Sequence, residues 1–143
     1  MKRIFAMMSV MFLLWSLSSN AQTSAETTVR NILERQSTDW NKGNLEGFMN
    51  GYWQSDSLMF IGKSGVTYGW QNTLNNYKKS YPDVASMGKL QFTILKVKSL
   101  SAQYQQVVGK WYLTRNKGNL EGHFTLLFQK INNQWVIVMD HSS

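Results

Sequence analysis

The spacing of apolar residues along this chain changes period near its middle. Val29, Ile32, Leu33, Gln36 and Trp40 recur every three to four residues, one helical face with a single polar entry. Thr23-Ser24-Ala25-Glu26 has the form of a capping box ahead of them, which predicts a helix from about Ser24 to about Lys42. Gly43 stands where a C-terminal cap belongs, and Asn44 can cap a second, short helix with the stripe Leu45, Phe48, Met49 and Tyr52. Asp56–Ile61 reads as a strand, Gly62-Lys63-Ser64-Gly65 as a turn and Val66–Tyr68 as a short return strand. Trp70, Leu74, Tyr77 and Tyr81 restore the helical spacing, so a third helix runs from Gly69 until Pro82 prevents its continuation. After Gly88 the period becomes two. Strands are predicted at about Leu90–Leu100, Gln103–Arg115, Leu120–Lys130 and Gln134–Ser142.

The stretch NKGNLEG occurs twice, at Asn41–Gly47 and at Asn116–Gly122. The first copy falls between two predicted helices and the second between two predicted strands. Their flanks do not match, with STDW and FMNG around one, YLTR and HFTL around the other. The chain therefore carries no duplicated domain. One local sequence reverses the backbone in two settings, with glycine supplying the positive φ.

Lys117-Gly118 as a two-residue hairpin tip would pair Asn116 with Asn119, Leu113 with Gly122, Trp111 with Phe124 and Gly109 with Leu126. One face of that hairpin is then Val107, Gly109, Trp111, Leu113, Gly122, Phe124, Leu126 and Phe128, wholly apolar or glycine. The other face, with Tyr112, Glu121 and His123, is mixed. A turn at Asn132-Asn133 would pair Phe128 with Ile137, Leu126 with Met139 and Phe124 with His141. That register sends His141 inward as an ionisable group among aromatic rings, and sends Asp140 outward.

The first 21 residues form a separate unit. Lys2 and Arg3, the apolar run Ile4–Leu17 and the small residues of Ser19-Asn20-Ala21 have the pattern of a cleavable secretory signal. The run is shorter than a membrane span needs. The expected mature chain starts at Gln22, is periplasmic or secreted, and forms one domain over residues 22–143. There is no Cys, which excludes a lipoprotein, a disulfide framework and thiolate chemistry. The formal charge is +7, but the basic residues are scattered, with Lys78-Lys79 their only adjacent pair after the signal. Nucleic-acid binding needs a clustered basic surface, so it is not expected. Aromatic residues make up 13% of the chain. That is more ring surface than a small core requires, and it points to a cavity or an interface.

Three helices ahead of a four-stranded antiparallel sheet, with particular sequences at each end, resemble the nuclear transport factor 2-like superfamily. The residues that carry this are Trp40–Phe48 (WNKGNLEGF), Gly69 before the third helix, Gly122–Phe128 (GHFTLLF) and Trp135–Ser143 (WVIVMDHSS). The nearest likeness is to the SnoaL-like proteins and to a group related to the calcium/calmodulin-dependent kinase II association domain. Asn44 departs from the Asp often found in that group; either residue caps a helix. The resemblance implies an α+β cone-shaped roll, with three N-terminal helices packed on a curved antiparallel sheet and a pocket at the open end. It also implies a homodimer through the outer sheet face. It does not imply a reaction, because the fold serves isomerases, cyclases, dehydratases and assembly modules.

The expected function is binding of a small apolar or aromatic molecule in the cone, with proton transfer of the SnoaL or ketosteroid isomerase kind as its catalytic form and a non-catalytic dimerisation module as the alternative. Trp40, Tyr52, Phe60, Trp70, Tyr77, Trp111, Phe124 and His141 are the expected ligand-lining residues. His141 is the candidate base, and Tyr52 or Tyr77 the candidate donor to a developing oxyanion. Asp56 is a candidate carboxylate or a turn cap. No metal or other cofactor is expected: two His without HxxxH or HxH spacing supply too few ligands, and no Gly-rich phosphate loop follows a strand.

Overall fold

The computed structural model describes residues 24–143, so the expected signal segment over 1–21 lies outside them. Helix α1 covers 24–41 and buries the predicted face, Val29, Ile32, Leu33, Gln36 and Trp40. An exposed Arg30–Glu26 ion pair of 2.8 Å spans one turn on its other side. Gly43 ends the helix at φ 77°, a left-handed position that suits glycine. Asn44 then caps α2 (Leu45–Met49), its side chain accepting from Gly47 N at 2.9 Å. Asn41 serves a different purpose. Its amide accepts from Leu90 N at 2.7 Å and donates to Leu90 O at 3.0 Å, tying the end of α1 to the first long strand.

Two short strands follow, β1 (Met59–Gly62) and β2 (Gly65–Tyr68), then α3 (Trp70–Ser80) and a one-turn helix α4 (Val84–Met87). The long strands are β3 (Lys89–Ser101), β4 (Tyr104–Thr114), β5 (Leu120–Ile131) and β6 (Gln134–Ser142). All six strands form one sheet in the order β2-β1-β6-β5-β4-β3. The sheet is mixed rather than purely antiparallel, because β1 runs parallel to β6, with Phe60 beside Asp140. Sequence periodicity located β1 but could not place it, since its partner lies some eighty residues away in the chain.

The second NKGNLEG turns β4 into β5, but through a wider loop than expected. Asn119 Oδ1 accepts from Arg115 N at 3.0 Å, and Arg115 Nε donates to Gly118 O at 2.9 Å. Trp111 therefore pairs with Gly122, and Gly109 with Phe124. The slip is two residues, which preserves which side chains share a face. Val107, Leu113, Phe124, Leu126 and Phe128 are all buried as the alternation requires. The helices and the concave sheet face enclose one hydrophobic core.

The last strand departs by one residue. Asn132 and Asn133, both at positive φ, make the expected two-residue turn, and Phe128 pairs with Ile137. Leu127 then pairs with Met139, leaving Val138 as an extra residue on β6. This bulge inverts everything beyond it. Asp140 faces the core at 3% exposure, and His141 is exposed on the outer face beside Thr125. The expectation that His141 lies inward is thus corrected. The far edge of β6 accounts for the break: Ile137 N donates to Gly51 O and Ile137 O accepts from Trp53 N, both at 2.9 Å, which pins that residue to the segment after α2.

Candidate functional site

The bulge brings a carboxyl group into an aromatic interior. Asp140 Oδ2 accepts from the Tyr52 hydroxyl at 2.7 Å, and Oδ1 accepts from the Ser142 hydroxyl at 2.7 Å. Ser142 lies two residues further along the same strand, so it shares the inward face. Tyr52 arrives from the segment after α2, whose bridge to Ile137 places it against β6. Burial raises the Asp140 pKa to about 6, against the pull of the two hydroxyl hydrogen bonds and of the neighbouring His141 charge. Burial also pushes the Tyr52 hydroxyl well above its usual range, as do the Asp140 charge and Tyr77. Tyr77 is raised likewise, first by burial and then by Asp140, while its interaction with the Tyr52 hydroxyl works in the opposite direction. The Tyr77 ring keeps part of its surface accessible although its hydroxyl is enclosed.

Tyr77 is also the centre of the ring cluster. It makes edge contacts with Trp40 at 5.9 Å, Phe48 at 5.3 Å and Phe60 at 5.7 Å, and stacks on Tyr81 at 6.2 Å between centroids. Trp40 is fixed from behind, its indole N–H donating to Met87 O at 3.1 Å, so α4 closes that side. A second pair, Phe92 and Phe124, meets edge to face at 5.4 Å further along the concave face. Glycines make room for these rings. A Cβ on Gly109 would fall on the Phe124 ring, and one on Gly122 would meet Ser143 O and the Trp111 indole. Phe124 and Trp111 therefore lie close against the sheet and form the floor of the cone.

Of the expected lining residues, Tyr52, Phe60 and Tyr77 come together around Asp140, Trp40 packs behind the Tyr77 ring, and Trp111 and Phe124 lie further along the concave face. Trp70 does not join them. It lines an open surface recess with Gln54, Ser55, Asp56 and Gln71, its indole N–H donating to Met49 O at 2.9 Å. Asp56 lies at that rim, exposed. Asp140 and Ser142 are the interior groups that strand alternation missed. The signal that could have found them is chemical: a carboxylate and a hydroxyl at i and i+2 share a strand face in any register.

A crystal structure from Shewanella oneidensis MR-1, of an NTF-2 like protein of unknown function, is 46% identical over 83% of this chain and 98% of that one, with a TM-score of 0.81. The chain belongs to the NTF2-like family. Two more distant solved structures share the fold of this NTF2-like chain. A domain of unknown function with a cystatin-like fold from Nostoc punctiforme PCC 73102 is 16% identical, covers 85% of this chain and 77% of its own, and has a TM-score of 0.72. A Xanthomonas campestris chain named for the calcium/calmodulin-dependent protein kinase II association domain is also 16% identical, with coverage of 80% and 84% and a TM-score of 0.63. No protein-family model and no curated protein matches the chain.

Proposed function

We propose that this NTF2-like protein is exported and binds a small, ring-containing molecule in its cone, with an oxygen of that molecule docked beside Tyr77 and Asp140. The observation that carries this is the Asp140 carboxyl: buried, held at both oxygens by hydroxyls, and set against an aromatic cluster. Burying a carboxylate costs stability that an apolar residue would not, and such groups concentrate at functional sites. With a pKa of about 6, Asp140 changes charge close to neutral pH. It can accept a proton from an acidic C–H or O–H of the bound molecule and return it, while the Tyr77 hydroxyl donates to the oxygen that gains charge. Ketosteroid isomerase works with the same two parts, a carboxylate base and a tyrosine donor in an apolar site.

Native mass spectrometry of the protein purified from its own envelope fraction tests this reading. The expected result is a retained small-molecule mass that disappears in the folded Asp140→Asn, Tyr77→Phe double variant. A clean apo mass for the unaltered chain counts against it. The same spectrum gives the mature N-terminus, expected at Gln22; an intact Met1 would remove export.

A second reading, self-association, has its own support. Val108, Leu127 and Met139 lie across neighbouring strands of the outer sheet face and are only partly covered there. Sedimentation as a monomer at micromolar concentration would eliminate it.

A further inference from the structure

The floor of the cone holds a hydrogen-bond donor with nothing to donate to. Trp111 Nε1 is buried and has no partner. Buried N–H groups are nearly always paired, and indole N–H groups usually find an acceptor. Two other indoles of this chain are paired, Trp40 with Met87 O and Trp70 with Met49 O. One other buried polar side-chain atom among the described residues lacks a partner, Gln105 Oε1. It lies six residues away along β4, and its amide nitrogen is already bonded to Ser99. A carbonyl oxygen tolerates partial occupancy better than an N–H does.

The position of Trp111 gives the orphan donor a direction. Its strand neighbours are Phe92 on β3 and Gly122 on β5. The indole covers the place where a Gly122 Cβ would stand, next to the Ser143 carbonyl, and yet makes no bond to that carbonyl. From Trp111 to Asp140 the concave face runs across two strand spacings and four residues. With ordinary strand dimensions their Cα atoms lie roughly 17 Å apart along that diagonal. Between them lie Phe124 and the Ser142 hydroxyl, and Phe92 flanks the path.

We infer that Trp111 is the second anchor of the cone, its indole N–H donating to an acceptor oxygen at the far end of the bound molecule. The inference rests on the binding reading above and narrows its ligand. The molecule is an elongated, flat ring compound with an oxygen at each end and an apolar middle, about the length of two fused six-membered rings with a substituent. A compound with only one polar end would leave the indole unpaired and bind less tightly, by about tenfold for one buried hydrogen bond.

Two probes separate the outcomes. One is 2-naphthol; the other is 6-acetyl-2-naphthol, the same ring with a carbonyl at its far end. Affinities are measured by calorimetry, and the indole N–H resonances are followed in 1H–15N spectra of the unaltered protein. The acetyl compound is expected to bind about tenfold more tightly and to move the Trp111 indole N–H downfield. That ratio is expected to fall to about one in Trp111→Phe. Equal affinities for the two probes, with an unmoved Trp111 resonance, would overturn the inference and leave the indole to a bound water. If neither probe binds the unaltered protein, the cone-binding reading fails and this inference fails with it. The resonance shift needs no variant, so a Trp111→Phe chain that misfolds does not obscure the result.

Discussion

Replacing Asp140 by Asn tests the electrostatics of the interior directly. The carboxyl titrates at about 6 in the folded chain, against 3.8 for an unperturbed aspartate. A difference of about two units corresponds to roughly 3 kcal/mol. The sign follows from proton counting. Below pH 3.8 the carboxyl is protonated folded and unfolded, and its shift has no effect. Between the two values the unfolded chain gives up the proton that the folded chain keeps, so stability falls as pH rises. Above about 6 the loss is complete. Asn is nearly the same shape: its oxygen accepts from one hydroxyl and its NH2 donates to the other. The stability of Asp140→Asn relative to the unaltered chain should therefore improve by about 3 kcal/mol between pH 3.5 and pH 7.5, on the order of 10 °C in melting temperature for a domain of this size. Urea denaturation of both proteins across that range measures it, and titrating groups that do not interact with Asp140 cancel in the difference. A gap that does not change with pH, or one that moves in favour of the unaltered chain as pH rises, would refute the argument.

The remaining predictions concern the groups around this carboxyl and the sheet that holds them. Tyr52→Phe removes a hydroxyl that favours the ionised acid, so the Asp140 carboxyl resonance should titrate above about 6, with a loss of about 1–2 kcal/mol in stability; a downward shift would contradict the hydrogen bond. Gly109→Ala places a methyl against the Phe124 ring and close to Thr93 O. It should cost about 2–3 kcal/mol by chemical denaturation, and an unchanged midpoint would mean that the ring does not lie on the sheet. His141→Ala should change stability by less than about 0.5 kcal/mol, because the side chain is exposed; a core-sized loss would put the imidazole back inside.

Most of the scaffold was legible because local chemistry decides it. The capped helices, the positive-φ turns at Gly43 and Gly118 and the apolar face of β4 and β5 follow from residue type and spacing. The loop at Lys117-Gly118 is wider than a two-residue tip, since Asn119 competes for a backbone N–H, but an even slip leaves the interior intact. The bulge at Val138 is an odd slip, and it exchanged Asp140 for His141. Nothing in Trp135–Ser143 announces it, because the contacts that pin Ile137 come from Gly51 and Trp53, far away in sequence. The parallel pairing of β1 with β6 was hidden for the same reason. Tyr52 and Tyr77 were identifiable as donors from their helical stripes, whereas the acid they serve depended on one residue of strand phase.

The outer edge of the sheet has a bearing on how the protein survives at high concentration. With β1 and β2 attached to β6, one free margin is a four-residue strand and the other is β3 beyond Leu90, whose N–H and carbonyl Asn41 already holds. A long open edge invites a strand from another molecule. On β3 that invitation is withdrawn twice, by irregularities at Leu95 and at Leu100 that break the run of free amides, and by Lys96 and Lys98, exposed between them. A second chain adding there would lose ladder bonds at each kink and bring lysine against lysine in register. The same strand that completes the cone is thus a poor template for fibre growth, and swapping those lysines for valines would remove half of that protection while leaving the interior untouched.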